Sequence, residues 1–186
     1  MLCVCWMSTS FGFYMLAYVL KYLNGSIFLN AYSSSAGEII GKLSTIPLLR
    51  CISLRQVFLI AFTMASGGTL LLLIFRDADG WIPMILVIAR FGFSQAFVAS
   101  YLSFILVYPT ILTSTAIGIA VTMSKCATIF APVIAEVESP KNLIILLSIS
   151  VTALIVSQCL QLGEKGSPKS SAKEDEYSES EQKAIN

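Results

Sequence analysis
Histidine is missing from all 186 residues, which removes the side chain that Ser-His proteases, HExxH metalloproteases and haem proteins with histidine ligands depend on. What remains leads us to expect no enzymatic activity and no cofactor. Charge is scarce as well, at 12% of residues against roughly 25% in soluble domains. The net charge of +1 gives no electrostatic footprint for nucleic acid. Cysteine is present but odd in number, as Cys3, Cys5, Cys51, Cys126 and Cys159, and mostly within apolar runs, which reads as packing and not as a disulfide framework. Cys3 and Cys5 have one residue between them and no further Cys/His cluster nearby, which argues against a metal-ligand pair.

What the chain does have is apolar length. Hydrophobic residues make up 56% and mean hydropathy is +0.79, more than a water-soluble core can hide. A helix needs about 20 apolar residues to cross a hydrocarbon layer of ~30 Å. Runs of that order occupy residues 1–20, 27–48, 57–75, 81–107, 112–135 and 142–162. The expected fold is therefore an all-α membrane protein, a six-transmembrane-helix bundle over residues 1–163. Turn signals separate the runs at Asn24-Gly25, Arg50 to Arg55, Asp77 to Gly80, Tyr108-Pro109-Thr110 and Glu136 to Lys141. The first run lacks a basic leader and a small-residue cleavage site, runs too long, and contains Trp6, Phe11, Phe13 and Tyr14, so it reads as a span and not a signal peptide.

Orientation follows from Lys and Arg in short loops. Arg50 and Arg55 fall on the same side as Lys165, Lys169 and Lys173, whereas Lys21, Arg76 and Lys141 lie opposite with Asp77, Asp79, Glu136 and Glu138 nearby. The bias is modest and places both termini in the cytosol of an integral, multi-pass membrane protein. From Gly163 the composition turns to Gly, Ser, Lys and Glu, including Lys173-Glu174-Asp175-Glu176. With almost nothing to bury, residues 164–186 are expected to be a disordered cytoplasmic tail.

Charge inside a membrane helix is costly and usually faces a partner or a water-filled path. Glu38, Lys42, Arg90 and Lys125 qualify. Glu38 and Lys42 stand i, i+4 with the acid first, the favourable order for a same-face pair, so mutual neutralisation competes with a pathway role. Arg90, near Gly92 and Gln95, is either a donor to a neighbouring helix or a pathway residue. Lys125 lies mid-run with no acid three or four positions away and is the foremost candidate for contacting a substrate. Small residues cluster at Ser33 to Gly37 with Gly41, and at Ala65 to Gly68, as close helix packing requires. Trp6 and Phe13, seven residues apart, share a helix face, which serves either packing or a ligand cage.

The segment Ala89-Arg90-Phe91-Gly92, followed by Leu106-Val107-Tyr108-Pro109-Thr110 and then by Met123, Ala127 and Ala131-Pro132, resembles the tenth and eleventh helices of organic ion transporters in the major facilitator superfamily. In that family the tenth helix starts with Gly-Arg or Gly-Lys and ends in Glu-Leu-Tyr-Pro-Thr. Gly25 to Asn30 with Glu38 looks like the start of the family's eighth helix, and Trp6 with Phe13 like the aromatic pair of its seventh. The resemblance covers residues 1–166 and implies that the six helices correspond to helices seven to twelve, one half of such a transporter. Departures occur at Arg50-Cys51-Ile52-Ser53-Leu54-Arg55, which lacks the acid and glycine of the family's loop, at Leu106 in place of Glu, and at Glu164-Lys165-Gly166, a remnant of a longer motif.

The resemblance implies transport of small organic ions by alternating access, as a half-length or truncated secondary transporter, with Lys125, Arg90, Glu38, Trp6 and Phe13 facing the substrate pathway. It also implies that cation-carrying members hold a carboxylate at the Lys125 position and anion-carrying members an arginine, while the retained Glu38 pulls the other way. Expected partners are the lipid bilayer, a small organic ion, and an N-terminal six-helix half or a second copy. The competing reading is a non-transporting accessory protein derived from such a transporter; a channel has less support, because no filter motif is visible.

Overall fold
The computed structural model describes residues 2–76, 80–137 and 140–158. The regular elements among the described residues are helices: α1 (Leu2–Val19), continued by a 3-10 turn at Leu20–Tyr22, α2 (Ile27–Cys51), α3 (Leu54–Ile74), α4 (Ile82–Val107), α5 (Thr110–Thr128), α6 (Phe130–Ala135) and α7 (Lys141–Gln158). The expected tail at 164–186, the last residues of the expected sixth run at 159–162, and the loop charges Asp77, Asp79, Glu138, Lys165, Lys169 and Lys173 lie outside the described residues.

The helix ends follow local chemistry. Gly25 takes a φ of 95°, a left-handed conformation that glycine adopts without steric cost, and this turns the chain between α1 and α2. The Asn30 side chain ties that turn down by donating to the Asn24 carbonyl at 3.2 Å. The third run begins earlier than its hydropathy implies, at Leu54, because Gln56 accepts a hydrogen bond from the Ser53 N–H at 3.1 Å, which satisfies a donor that the first turn leaves open. Pro83 sits in the first turn of α4, where its missing N–H costs nothing. The fifth run is interrupted at Ile129. Pro132 has no N–H to offer the Thr128 carbonyl four residues back, yet Ile129 keeps helical angles of −56° and −32°. α5 and α6 are thus an interrupted single path over Ile111–Ala135, long and apolar enough to span a membrane.

Among the described residues five stretches meet that standard of length and apolarity: Leu2–Tyr22, Leu54–Ile74, Ile82–Val107, Ile111–Ala135 and Lys141–Gln158. The architecture is an all-α membrane bundle. α2 is long enough at 25 residues but less apolar than the others, because Glu38, Lys42, Arg50 and a run of serines dilute it.

α4 is the central element, packed between α2 and α3, while α1 touches α4, α5, α6 and α7. Lipid tails are as apolar as leucine, so close packing between helices relies on small residues that let backbones approach. Those residues are in place. A Cβ built on Gly37 would lie 2.5 Å from the Val87 carbonyl oxygen, and one on Gly41 would lie 2.8 Å from that of Phe91. On the other flank, Gly68 abuts Ala89 and Gly92 abuts Ala61 and Ala65. Larger side chains fill the remaining interior: Met15, Leu16, Leu72, Leu86, Phe93, Leu143 and Leu146 in one cluster, Val57, Phe58 and Phe62 in another. Burial is uneven: much of the α4 span is enclosed by its neighbours, and little of Ile111–Ala135 is.

Candidate functional site
The glycine contacts of α2 set the register that makes a charged cluster. With Gly37 and Gly41 against Val87 and Phe91, Glu38 comes opposite Arg90. Arg90 Nη2 donates to Glu38 Oε2 at 2.9 Å and Nη1 donates to the Phe13 carbonyl oxygen at 2.6 Å. Lys42 Nζ donates to the other Glu38 oxygen at 2.5 Å. The expected Glu38–Lys42 pair forms, and Glu38 binds a second cation from another helix as well.

Phe13 anchors the cluster through its ring. The Arg90 guanidinium carbon lies 3.7 Å from the ring centroid and Lys42 Nζ lies 5.9 Å from it, positions that the ring quadrupole favours. Arg90 is 7% exposed, and its Nε has no hydrogen-bond partner among the described residues. A neighbouring polar contact extends the α2–α4 seam, where Gln95 donates to Ser44 Oγ at 3.0 Å.

Lys125 is held by the next residue of α1 after Phe13. Its ammonium donates to the Tyr14 hydroxyl oxygen at 2.8 Å and lies 4.5 Å from the Tyr14 ring centroid. The Phe13 and Tyr14 rings are 5.6 Å apart, edge to face, so consecutive residues of α1 separate two cationic centres. Lys125 and Tyr14 border an open groove of about 680 Å³ between α1 and α5–α6, with Tyr18, Thr122, Cys126 and Pro132 on its walls.

Trp6 is 2% exposed, with its ring 4.3 Å from Tyr101 and 5.1 Å from Phe104. Phe97 connects it to Phe13, at 6.4 Å from Trp6 and 5.5 Å from Phe13. The five candidate residues therefore form two groups, Arg90–Glu38–Phe13 and Tyr14–Lys125, with Trp6 joined to the first through rings. Sequence reasoning missed Tyr14, Phe97 and Tyr101. A signal was there: Phe97, Tyr101, Phe104 and Tyr108 follow the i, i+4, i+7, i+11 spacing of one helical face, the same test that singled out Trp6 and Phe13.

Chemically, the arrangement offers cations, one carboxylate, phenol and aromatic faces. No group of three or more His, Cys, Asp or Glu side chains able to hold a metal occurs among the described residues.

No family model matches the chain. Known proteins do. The chain is 31% identical over 130 residues to solute carrier family 22 member 4 of Mus musculus, 26% identical over 132 residues to solute carrier family 22 member 21 of the same species, and 27% identical over 130 residues to organic cation/carnitine transporter 2 of Homo sapiens. These matches cover 68%, 69% and 68% of the chain and 23% of each relative, so the chain aligns with less than a quarter of the length of the proteins it resembles. Together with the apolar helices, they support an integral multi-pass membrane protein of transporter type.

Proposed function
We propose that the chain works as one six-helix half of a secondary transporter for small organic ions, equivalent to the C-terminal half of a major facilitator superfamily carrier. The observation that carries this reading is the pairing of membrane-embedded charge with aromatic rings on α1, α2, α4 and α5, where Lys125 borders an open groove. Charge in such a place either pairs within the fold or marks an ion or substrate path, and Lys125 faces open space. The similarity to carriers of small organic solutes supports the same reading.

In superfamily carriers the substrate lies at the midplane between two bundles that rock against each other. On this reading Lys125, Arg90, Glu38, Phe13 and Trp6 line or support that midplane face. The missing face is supplied by an N-terminal half or a second copy, and both termini lie in the cytosol, as the loop charges favour. The exposed residues of α2 and α5, among them Phe28, Tyr32, Leu43 and Ile111, provide apolar surface for lipid and for that second half.

Uptake decides the matter. Cells expressing the chain, alone or together with an N-terminal six-helix half, are expected to accumulate labelled small organic ions above mock-transfected cells, and Lys125→Ala is expected to return uptake to background. Uptake by Lys125→Ala equal to that of the unsubstituted chain would remove Lys125 from the pathway, and no uptake under any pairing would defeat the transport reading.

A further inference from the structure
We infer that an acyl chain of a bilayer phospholipid occupies the groove between the end of α3 and the start of α4, lined by Leu71, Phe75, Trp81, Met84, Ile85 and Ile88. None of these residues belongs to the charged cluster, so the inference stands apart from the transport reading.

The groove encloses about 530 Å³ and follows from how the two helices meet. Leu71 and Phe75 stand one turn apart on α3, and Trp81, Met84, Ile85 and Ile88 follow i, i+3, i+4, i+7 spacing on α4, so each set shares a face. The helices touch at Gly68, where a Cβ would lie 2.6 Å from the Ala89 backbone. That contact forms the floor, and the larger side chains form the walls. Of the three glycines in α3 and α4, Gly68 and Gly92 are pressed against a neighbouring helix, but a Cβ on Gly67 would meet nothing within 4 Å. Gly67 lies one turn before Leu71 on the same face, so its missing side chain leaves the inner end of the groove open. Glycine weakens a helix interior, and no contact among the described residues explains this one.

The occupant follows from the depth and the walls. Both helices are long and apolar enough to span a membrane, and Phe75, Trp81 and Met84 are exposed, so the groove opens towards lipid. Trp81 stands at the start of α4, and tryptophan favours the membrane–water boundary; the groove runs inwards from there. Ile88 lies seven residues after Trp81, a depth of about 10 Å at 1.5 Å per residue, less than half of a ~30 Å hydrocarbon layer. A lipid chain from one leaflet fits that depth, whereas a partner helix would need contacts along the whole span. The hydrogen-bonding group on the six lining side chains is the Trp81 indole N–H, which only donates. A phospholipid ester carbonyl accepts such a bond and brings no donor. A sterol hydroxyl brings a donor of its own, and no lining side chain has an oxygen to accept it. Because lipid tails are as apolar as these walls, retention comes from close contact with fixed side chains, which the stiff Ile85 and Ile88 supply and the adaptable Met84 completes.

Native mass spectrometry of the full chain, purified in detergent with dioleoylphosphatidylcholine and an equimolar amount of cholesterol, identifies the occupant by its mass. One phospholipid per chain is expected to remain. Gly67→Leu fills the inner end and is expected to lower the lipid-bearing fraction about fivefold or more. Gly67→Ala, too small to fill it, and Gly118→Leu, at an equally open glycine on α5, are expected to retain the lipid. If Gly67→Leu melts below the unsubstituted chain, Met84→Trp at the exposed rim supplies the same readout. Equal retention by the filled variant, a sterol held in place of the phospholipid, or no lipid held each overturns the inference. So does a dimer that Gly67→Leu separates, which would assign the face to a second copy.

Discussion
The two sides of α1 treat a membrane-embedded cation differently. On the α2–α4 side, Arg90 is buried, paired with Glu38 and bonded to the Phe13 carbonyl, and the helices around it meet through glycines that admit no side chain. On the α5 side, Lys125 is exposed, meets only the Tyr14 phenol and ring among the contacts described, and borders an open groove. The first arrangement satisfies a charge inside the fold, and the second leaves one available. Location in a span therefore says only that a charge needs a partner, not whether the protein or a ligand supplies it.

The largest expected effect that sharpens this contrast is on Glu38. Glu38 is half-buried but its partner Arg90 is buried, and stranding a buried charge costs up to about 3–5 kcal/mol, so Glu38→Ala is expected to lower the thermal midpoint in detergent severely. Lys125→Ala, at an exposed position, is expected to stay within about 0.5 kcal/mol of the unsubstituted chain. Equal melting of the two variants would erase the distinction between the sides.

A smaller effect is expected from helix packing. Gly37→Leu pushes a side chain into the Val87 carbonyl and, at about 1–3 kcal/mol for overpacking, lowers the midpoint. Gly118→Leu on α5, where a Cβ meets nothing within 4 Å, is expected to leave it nearly unchanged. A loss at Gly118 as large as that at Gly37 would mean that α5 is packed as tightly as α2.

The smallest effect concerns Tyr14. Tyr14→Phe keeps the ring under the Lys125 ammonium and deletes one exposed hydrogen bond, an effect within about 0.5 kcal/mol. Stability should barely move, while amine-reactive labelling of Lys125 is expected to quicken. Unchanged labelling would show that the phenol does not restrain the lysine.

Much of the fold was legible because its signals are local. Apolar length marks a span, and the Asn24-Gly25 and Pro109 punctuation marks its ends, whatever the rest of the chain does. The interruption at Ile129 was legible in principle from Pro132, since the missing N–H acts within one turn. The early start of α3 was not, because hydropathy is blind to a capping contact between Ser53 and Gln56. At the site, the i, i+4 spacing gave Glu38–Lys42 without help. It could not give Arg90–Glu38, whose members are 52 residues apart, or Lys125–Tyr14, 111 apart.

The sequence by itself determined that this is a helical membrane chain and that Glu38, Arg90 and Lys125 need an explanation, because helix period, span length and the cost of charge in hydrocarbon depend on residue type and order alone. Only the tertiary structure decided which charges are already answered. Whether Glu38 is free for a cation depends on where α2 lies against α4. That position is fixed by the contacts of Gly37 and Gly41 with another helix, and no local rule contains it.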